Sequence, residues 1–346
     1  MKKLLALFTI LCLAILTACG GSEGTSSAPS ESSGGGESSS ETITLRLGHV
    51  TQTTHPFHLA AEKYAELVKE KTNGQIEIEI FPARQLGGDV DMLEMIQNGS
   101  LDAGFITTSV FSGSTPVLDG LQLPFLINNY DVFDEVLKTD TIQKMLDSLE
   151  EINVKGLAIN ESGMRHIGSN RSEVQTPADL EGLKIRVVES PLMLDIFNAL
   201  GASPTPMAYG EIYSSLQTGV IDAHEANLPA YVDEKFAEVT EYITLTGHFP
   251  FPNANIMNLD KFNSLTPEQQ TALDEAAKEA SAWIITELKV VDESNLTKLK
   301  DAGQNIAEVQ DITPFLEKVQ PVYDKYSEKH ELIKELIDKV NEIKAN

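Results

Sequence analysis

The chain has 346 residues, a formal net charge of −26 at neutral pH and only two cysteines, Cys12 and Cys19. So acidic a balance excludes proteins that hold nucleic acid or anionic surfaces by a basic face. It does not exclude an anionic ligand, because screening over about 8 Å lets the local charge of a cleft decide. With both cysteines close to the start, the rest of the chain has no disulfide and no thiol nucleophile.

The first segment reads as a targeting signal. Lys2 and Lys3 precede an apolar run over residues 4–16 that is too short and wrongly flanked for a membrane span. Leu16-Thr17-Ala18-Cys19 has the form of a bacterial lipobox, so residues 1–18 are expected to be a lipoprotein signal peptide and Cys19 the lipidated first residue. An ordinary signal peptide cleaved after Ala18 is the plainer alternative. Residues 20–40 are almost entirely Gly, Ser and Glu, which gives a flexible tether over 19–41 with nothing to bury.

Strand and helix signals then alternate. Ile43, Leu45 and Leu47 alternate with Thr44 and Arg46 as a strand, and a helix over 57–72 is ended by Asn73-Gly74. Ile76, Ile78 and Ile80 mark a second strand, a helix over 88–97 stops at Asn98-Gly99, and 102–106 is a third strand. This βαβα order predicts an α/β sheet with crossover helices. The pattern resumes with strands at 154–159 and 184–188 and helices at 191–200 and 209–218. A folded part of roughly 300 residues exceeds one ordinary core, so two lobes are expected.

Two arginines stand out. Thr176 is placed as a helix N-cap, with Pro177 at the first helical position and Asp179 three residues on; Gly182 ends that turn before the strand at 184–188. Ile185 and Val187 point to one face, so Arg186 points to the other, where its planar fork of donors suits a carboxylate. Arg165 lies in Gly163-Met164-Arg165-His166 and has two readings without a ligand: bracing the cleft, or neutralising Glu161. Arg171 reads as structural. Thr266-Pro267-Glu268-Gln269 is a second cap signature, opening helical character from 267 to about 300. Such a helix is about 50 Å long, enough to lie along both lobes. Trp283 within it reads as a packing residue.

These segments together resemble the DctP family, the extracytoplasmic solute-binding proteins of TRAP transporters. The resemblance covers 42–330. It rests on the order and spacing of Leu45-Arg46-Leu47-Gly48-His49, Phe81-Pro82, Gln85-Leu86-Gly87-Gly88, Gly99-Ser100-Leu101-Asp102, the two arginine segments, 201–207 and 211–222. It implies an α/β, two-lobed fold like that of periplasmic binding proteins, with a hinge, a ligand cleft between lobes and a long helix spanning both. Lobe I is expected at 42–162 plus 251–290, and lobe II at 163–250 plus 291–346. It implies a receptor rather than an enzyme, without cofactor, that delivers a small organic acid to small and large membrane subunits. The protein would face the outside on its lipid anchor, in the periplasm where an outer membrane is present.

Carried onto this sequence, Arg186 matches the arginine that pairs with the ligand carboxylate and Arg165 a second arginine near it. Tyr209 matches an aromatic residue of the cleft; His49, Val50, Thr51, Thr107 and Thr108 fall on loops at its edge. Glu225 lies near the cleft. One departure concerns His224-Glu225-Ala226-Asn227, where relatives often have Gln-Glu-Asn-Pro: the ligand asparagine becomes Ala226, with Asn227 one residue late as a substitute. Two other functions remain open on the residues. One is a receptor of an ATP-driven importer; the other is a metal-dependent hydrolase using Glu225 and nearby histidines. No metal is expected, because Pro56 interrupts the helix face that would align His55 with His58.

Overall fold

Two sheets organise residues 42–345, the part of the chain that the computed structural model describes. The lipobox, Cys19 and the tether lie outside the described residues. In the first sheet, β1 (Ile43–Gly48) runs parallel to β2 (Ile76–Phe81) from Ile43 opposite Ile76 to Gly48 opposite Phe81. Helix α1 (Pro56–Lys71) makes the crossover; Pro56 suits its first turn and the His55 side chain accepts the Phe57 N–H as a cap. After α2 (Asp89–Gln97), β3 (Ala103–Thr107) pairs parallel with β1 and is buried at every residue, as a central strand covered on both faces must be. Helices α3 (Tyr130–Leu137) and α4 (Asp140–Asp147) lead into β4 (Val154–Asn160).

The chain then leaves for the second sheet. It contains β5 (Arg165–Ser169), β6 (Lys184–Val187), β7 (Ser203–Pro206), β8 (Ala223–Asn227) and β9 (Tyr242–Leu245). Between them lie α5 (Pro191–Ala199), α6 (Ile212–Gln217) and α7 (Leu228–Asp233). The return strand β10 (Asn253–Asn258) inserts antiparallel between β3 and β4. The first sheet therefore has the order β2-β1-β3-β10-β4. After α8 (Leu259–Asn263) and α9 (Pro267–Asp301), β11 (Asn305–Glu308) joins β9, and the second sheet reads β11-β9-β5-β8-β6-β7. Helices α10 (Thr313–Ser327) and α11 (Glu331–Ala345) close the chain, α10 on α5 and α11 on α3 and α4.

Three segments connect the halves. The outgoing stretch after β4 and the returning stretch before β10 hydrogen-bond to each other: Arg165 N–H to the Phe249 carbonyl at 2.8 Å, Phe251 N–H to the Gly163 carbonyl at 3.0 Å, His248 N–H to the Arg165 carbonyl at 3.2 Å. The third is α9, packed on α1 and β4 of one half and on α7 of the other. Its capping box at Thr266 and Gln269 is formed as the sequence indicates. Its buried face carries Ala272, Ala276, Ala277 and Ala280, small side chains that allow close approach, beside the larger Leu273 and Ile284. Trp283 packs, partly buried, against that same cluster.

Two elements differ from the sequence reading in kind. Pro177–Leu180 is a 3₁₀ turn, and the helix expected over 209–218 begins as a 3₁₀ turn, Tyr209–Glu211, before α6. The tighter turn holds Tyr209 at the cleft. In β4, a Cβ on Gly156 would lie 2.8 Å from the Leu146 carbonyl oxygen and 3.0 Å from its Cα, backbone atoms that cannot swing aside. Gly156→Ala is therefore expected to destabilise the fold by about 1–3 kcal/mol, measured as a lowered urea midpoint with unchanged slope.

Candidate ligand cleft

Strand register assembles the cleft. In the antiparallel pair β5–β8, Arg165 is opposite Asn227 and Ile167 opposite Glu225; in the parallel pair β6–β8, Arg186 is beside His224. Arg165 donates from Nε to Glu225 Oε2 and from Nη2 to the Glu225 carbonyl, and its guanidinium lies 4.2 Å from the Phe251 ring centroid. Arg186 donates from Nε and Nη2 to the Met207 carbonyl, at 2.9 and 2.7 Å, while its Nη1 is 3.9 Å from Glu225 Oε1. Both arginines are about 98–99 % buried, with relative exposures of 1 % and 2 %.

Of the buried polar atoms without a hydrogen-bond partner among the described residues, four matter here: Nη1 of Arg165, Nη1 of Arg186, the Tyr209 hydroxyl and Oε1 of Glu225. Three of them are donors, and their residues line one cavity of about 20 Å³ between the sheets. The first sheet and its loops contribute Val50, Gly88, Asp89, Thr107 and Val110; the second half contributes Arg165, Arg186, Val188, Glu189, Ala208 and Tyr209, with Phe251 from the returning connection.

Charge in this space comes from few groups. Burial lowers the Arg186 pKa to about 10, so the guanidinium stays protonated at neutral pH. His166 and His224 are pushed down to about 3 by burial, helped by Arg165, and so remain neutral. Two cations thus surround the single carboxylate of Glu225. On the facing wall Asp89 opens α2, and Thr107 donates to it from its N–H at 3.2 Å and its hydroxyl at 3.1 Å. Burial raises the Asp89 pKa to about 6 against those bonds.

The structure brings Arg186, Arg165, Tyr209, Thr107 and Val50 to this cavity, with Glu225 behind the arginines. It keeps the other expected residues out of the lining. His49 bonds to His58 at 3.0 Å and to the Thr51 hydroxyl at 3.2 Å. Thr108 donates to Gln122 and to the Pro252 carbonyl. Asn227 shares the Glu225 face of β8, but its amide is taken by the Ser162 carbonyl and by His55 Nε2 at 3.1 Å. Arg165 does not neutralise Glu161: that carboxylate accepts the N–H groups of Gly163 and Phe251, at 2.8 and 3.0 Å, and Arg165 pairs with Glu225 instead. Among the described residues no group of three or more His, Cys, Asp or Glu could hold a metal ion. Asp89, Glu189 and Phe251 went unmarked in sequence; Asp89 carries a visible signal, an acid behind Gly87-Gly88 at a helix start.

Because the Asp89 pKa is raised on folding from 3.8 to about 6, the stability it lends is full below the lower value. It is lost as pH rises through about 6. Asp89→Asn should therefore flatten the fall of melting temperature between about pH 4 and pH 7. A melting curve with the wild-type pH dependence would exclude this account.

A family model, DctP (bacterial extracellular solute-binding protein, family 7), matches residues 47–329. The 2,3-diketo-L-gulonate-binding periplasmic protein YiaO of Escherichia coli is 35% identical over 265 residues, covering 76% of this chain and 80% of that protein. The C4-dicarboxylate-binding protein DctB of Bacillus subtilis is 31% identical over 301 residues, 86% of each. Among solved structures, a TRAP periplasmic solute-binding protein of Chromohalobacter salexigens with bound D-glucuronate superposes with a TM-score of 0.81 at 31% identity, covering 86% of this chain and 99% of that one.

Proposed function

This chain belongs to the DctP family of bacterial extracellular solute-binding proteins, and we propose that its cleft takes a hydroxylated monocarboxylate of the sugar-acid class. It is an extracytoplasmic receptor of the TRAP type and a binding protein, not an enzyme; its relatives give no support to an ATP-driven importer or a hydrolase. Small organic acids are its ligands and the TRAP membrane subunits its partners.

The observation that carries the ligand reading is the set of three unpartnered donors on one cavity, Arg165 Nη1, Arg186 Nη1 and the Tyr209 hydroxyl. A carboxylate supplies the acceptors and the negative charge that this wall lacks. Each charge-assisted bond contributes roughly 1.5–3 kcal/mol, more than a neutral one because the site is dry. Asp89 on the opposite wall, and Glu189 on the arginines' own side, offer acceptors for hydroxyl groups and oppose a second carboxylate. That polarity favours a sugar acid, such as the D-glucuronate held by the Chromohalobacter salexigens protein, over the C4-dicarboxylate class named for the Bacillus subtilis relative. A cavity of about 20 Å³ suits a single water rather than an acid, so the lobes must part to admit ligand and re-form around it.

Two finer assignments belong to this reading. The lipobox ending at Cys19 supports a lipid anchor after removal of 1–18, and residues 19–41 a tether. Lobe I is assigned to 42–162 plus 251–290 and lobe II to 163–250 plus 291–346, which is supported by the sheet membership of β1–β4 and β10 on one side and β5–β9 and β11 on the other.

Calorimetry tests the ligand class directly. D-glucuronate should bind, succinate should bind more weakly, and tighter binding of succinate would overturn the sugar-acid reading. Arg186→Ala should weaken uronate binding by about thirtyfold to a few thousandfold, the range given by losing a buried charge pair worth roughly 2–5 kcal/mol. Arg186→Lys should also bind weakly, since a point charge cannot hold the Met207 carbonyl and a carboxylate together as the planar fork does.

A further inference from the structure

We propose that Arg84 and Glu234 form a latch across the mouth of the cleft, and that its opening sets the rate of ligand release. Arg84 lies on the loop after β2, in the first half; Glu234 caps the end of α7, in the second. Nη1 and Nη2 of Arg84 donate to Oε1 and Oε2 of Glu234 at 3.0 and 3.1 Å, a two-pronged pair that fixes direction as well as distance. Nη1 also donates to the Val50 carbonyl at 2.7 Å, and Gln52 approaches the same Glu234 carboxylate at 3.4 Å. Among the described residues no other ion pair joins 42–162 to 163–250.

The backbone on both sides is strained toward this contact. Ala83 and Arg84 are consecutive non-glycine residues in the left-handed region, at φ 52° and 66°, and Lys235, next to Glu234, is at φ 59°. Such conformations persist where surrounding contacts over-determine them, and they gather at clamps and switches. Here the Ala83 N–H bonds to the Thr51 carbonyl at 2.9 Å and the Arg84 N–H to the His49 carbonyl at 3.3 Å, fixing the loop to the end of β1. The arginine stem then lies on Gly210, where a Cβ would come within 3.2 Å of Arg84 Cδ. Its guanidinium sits 5.5 Å from the ring centroid of Tyr209, the residue whose hydroxyl is free at the cavity.

Neither Arg84 nor Glu234 lines the cavity, so both act without touching ligand, Arg84 as a positioning residue for Tyr209. Their side chains are 25 % and 11 % exposed, which shields the pair more than an open surface contact and leaves it within reach of salt. Since neither partner touches ligand, the latch favours the closed form with or without it, and every departing ligand must wait for the pair to break. Its loss raises the release rate in all cases, and lowers affinity only to the extent that the ligand-free protein is open. The inference rests on the cleft described above, but not on which acid fills it.

The test uses the full chain with Arg84→Gln, Glu234→Gln and the double variant. Stopped-flow release of D-glucuronate should speed up by about 5–30-fold in each single variant, with association no slower. The double variant should release no faster than the faster single one, because the two side chains act as one unit. Raising salt from about 0.05 to about 0.5 M should speed release from wild type and leave Glu234→Gln unchanged. Release within about twofold of wild type, or additive effects in the double variant, overturns the latch. Hydrogen exchange on the ligand-free proteins supplies a second readout. Segments 82–89 and 207–212 should exchange faster in both single variants, and unchanged protection there overturns the proposal. If wild type fails to bind D-glucuronate, the sugar-acid reading falls while the exchange measurement still decides the latch.

Discussion

One carboxylate shared by two buried guanidinium groups is the constraint on which this structure turns. Glu225 accepts from Arg165 Nε through Oε2 and stands 3.9 Å from Arg186, whose Nε and Nη2 are spent on the Met207 carbonyl. The nearby histidines cannot alter the balance, since burial holds His166 and His224 neutral. A folded chain usually avoids leaving a charge unpaired in a dry interior, where the desolvation cost is several kcal/mol per ion. Here the shortfall is built into the strand register, because β5, β6 and β8 carry the three residues at fixed neighbouring positions. That register leaves Nη1 of each arginine without a partner, and on the proposed reading this is where the ligand's carboxylate binds.

That arrangement divides labour between the halves. The second sheet presents the charge-reading groups from paired strands and the 3₁₀ turn at Tyr209, so their geometry is set before a ligand arrives. The first sheet contributes Asp89 at the start of α2, braced by Thr107 from β3. In the proposed complex one wall fixes the carboxylate and the other meets the rest of the molecule. Because the walls belong to different sheets, recognition is complete only when they approach, and binding and closure become one equilibrium. The paired connections near Gly163 and Phe251 allow this without loss of register, since they hydrogen-bond to each other rather than to either sheet alone.

Much of this was legible before any coordinates. Period-two alternation located β1, β2 and β6, glycine stops located the ends of α1 and α2, and the Thr266 capping box located the long helix. Alternation also placed Arg186 opposite Ile185 and Val187. What stayed hidden depends on contacts between residues far apart in sequence. Arg165 meets Glu225 rather than Glu161 because β5 pairs with β8, and nothing near either residue announces that pairing. Asn227 looked like a stand-in for a ligand amide, yet Ser162 and His55 occupy its side chain. The left-handed pair Ala83 and Arg84 carries none of the Gly or Asn signals by which such turns are normally found.

The overall charge and the site charge now fit together. A chain with a net charge of −26 repels a small anion at long range, and screening confines that repulsion to about 8 Å. Capture therefore cannot rest on steering by the whole molecule. It rests on short contacts inside a dry cleft, where the same guanidinium groups act at low effective dielectric. An acidic exterior also discourages loose adsorption of other anions, so that on the proposed reading only one able to reach Arg165, Arg186 and Tyr209 together gains enough to hold the lobes shut. Selectivity then follows from the second wall. On the proposed reading Asp89, itself an anion above about pH 6 and part of the cavity lining, tolerates hydroxyl groups at the ligand's far end while opposing a second charge.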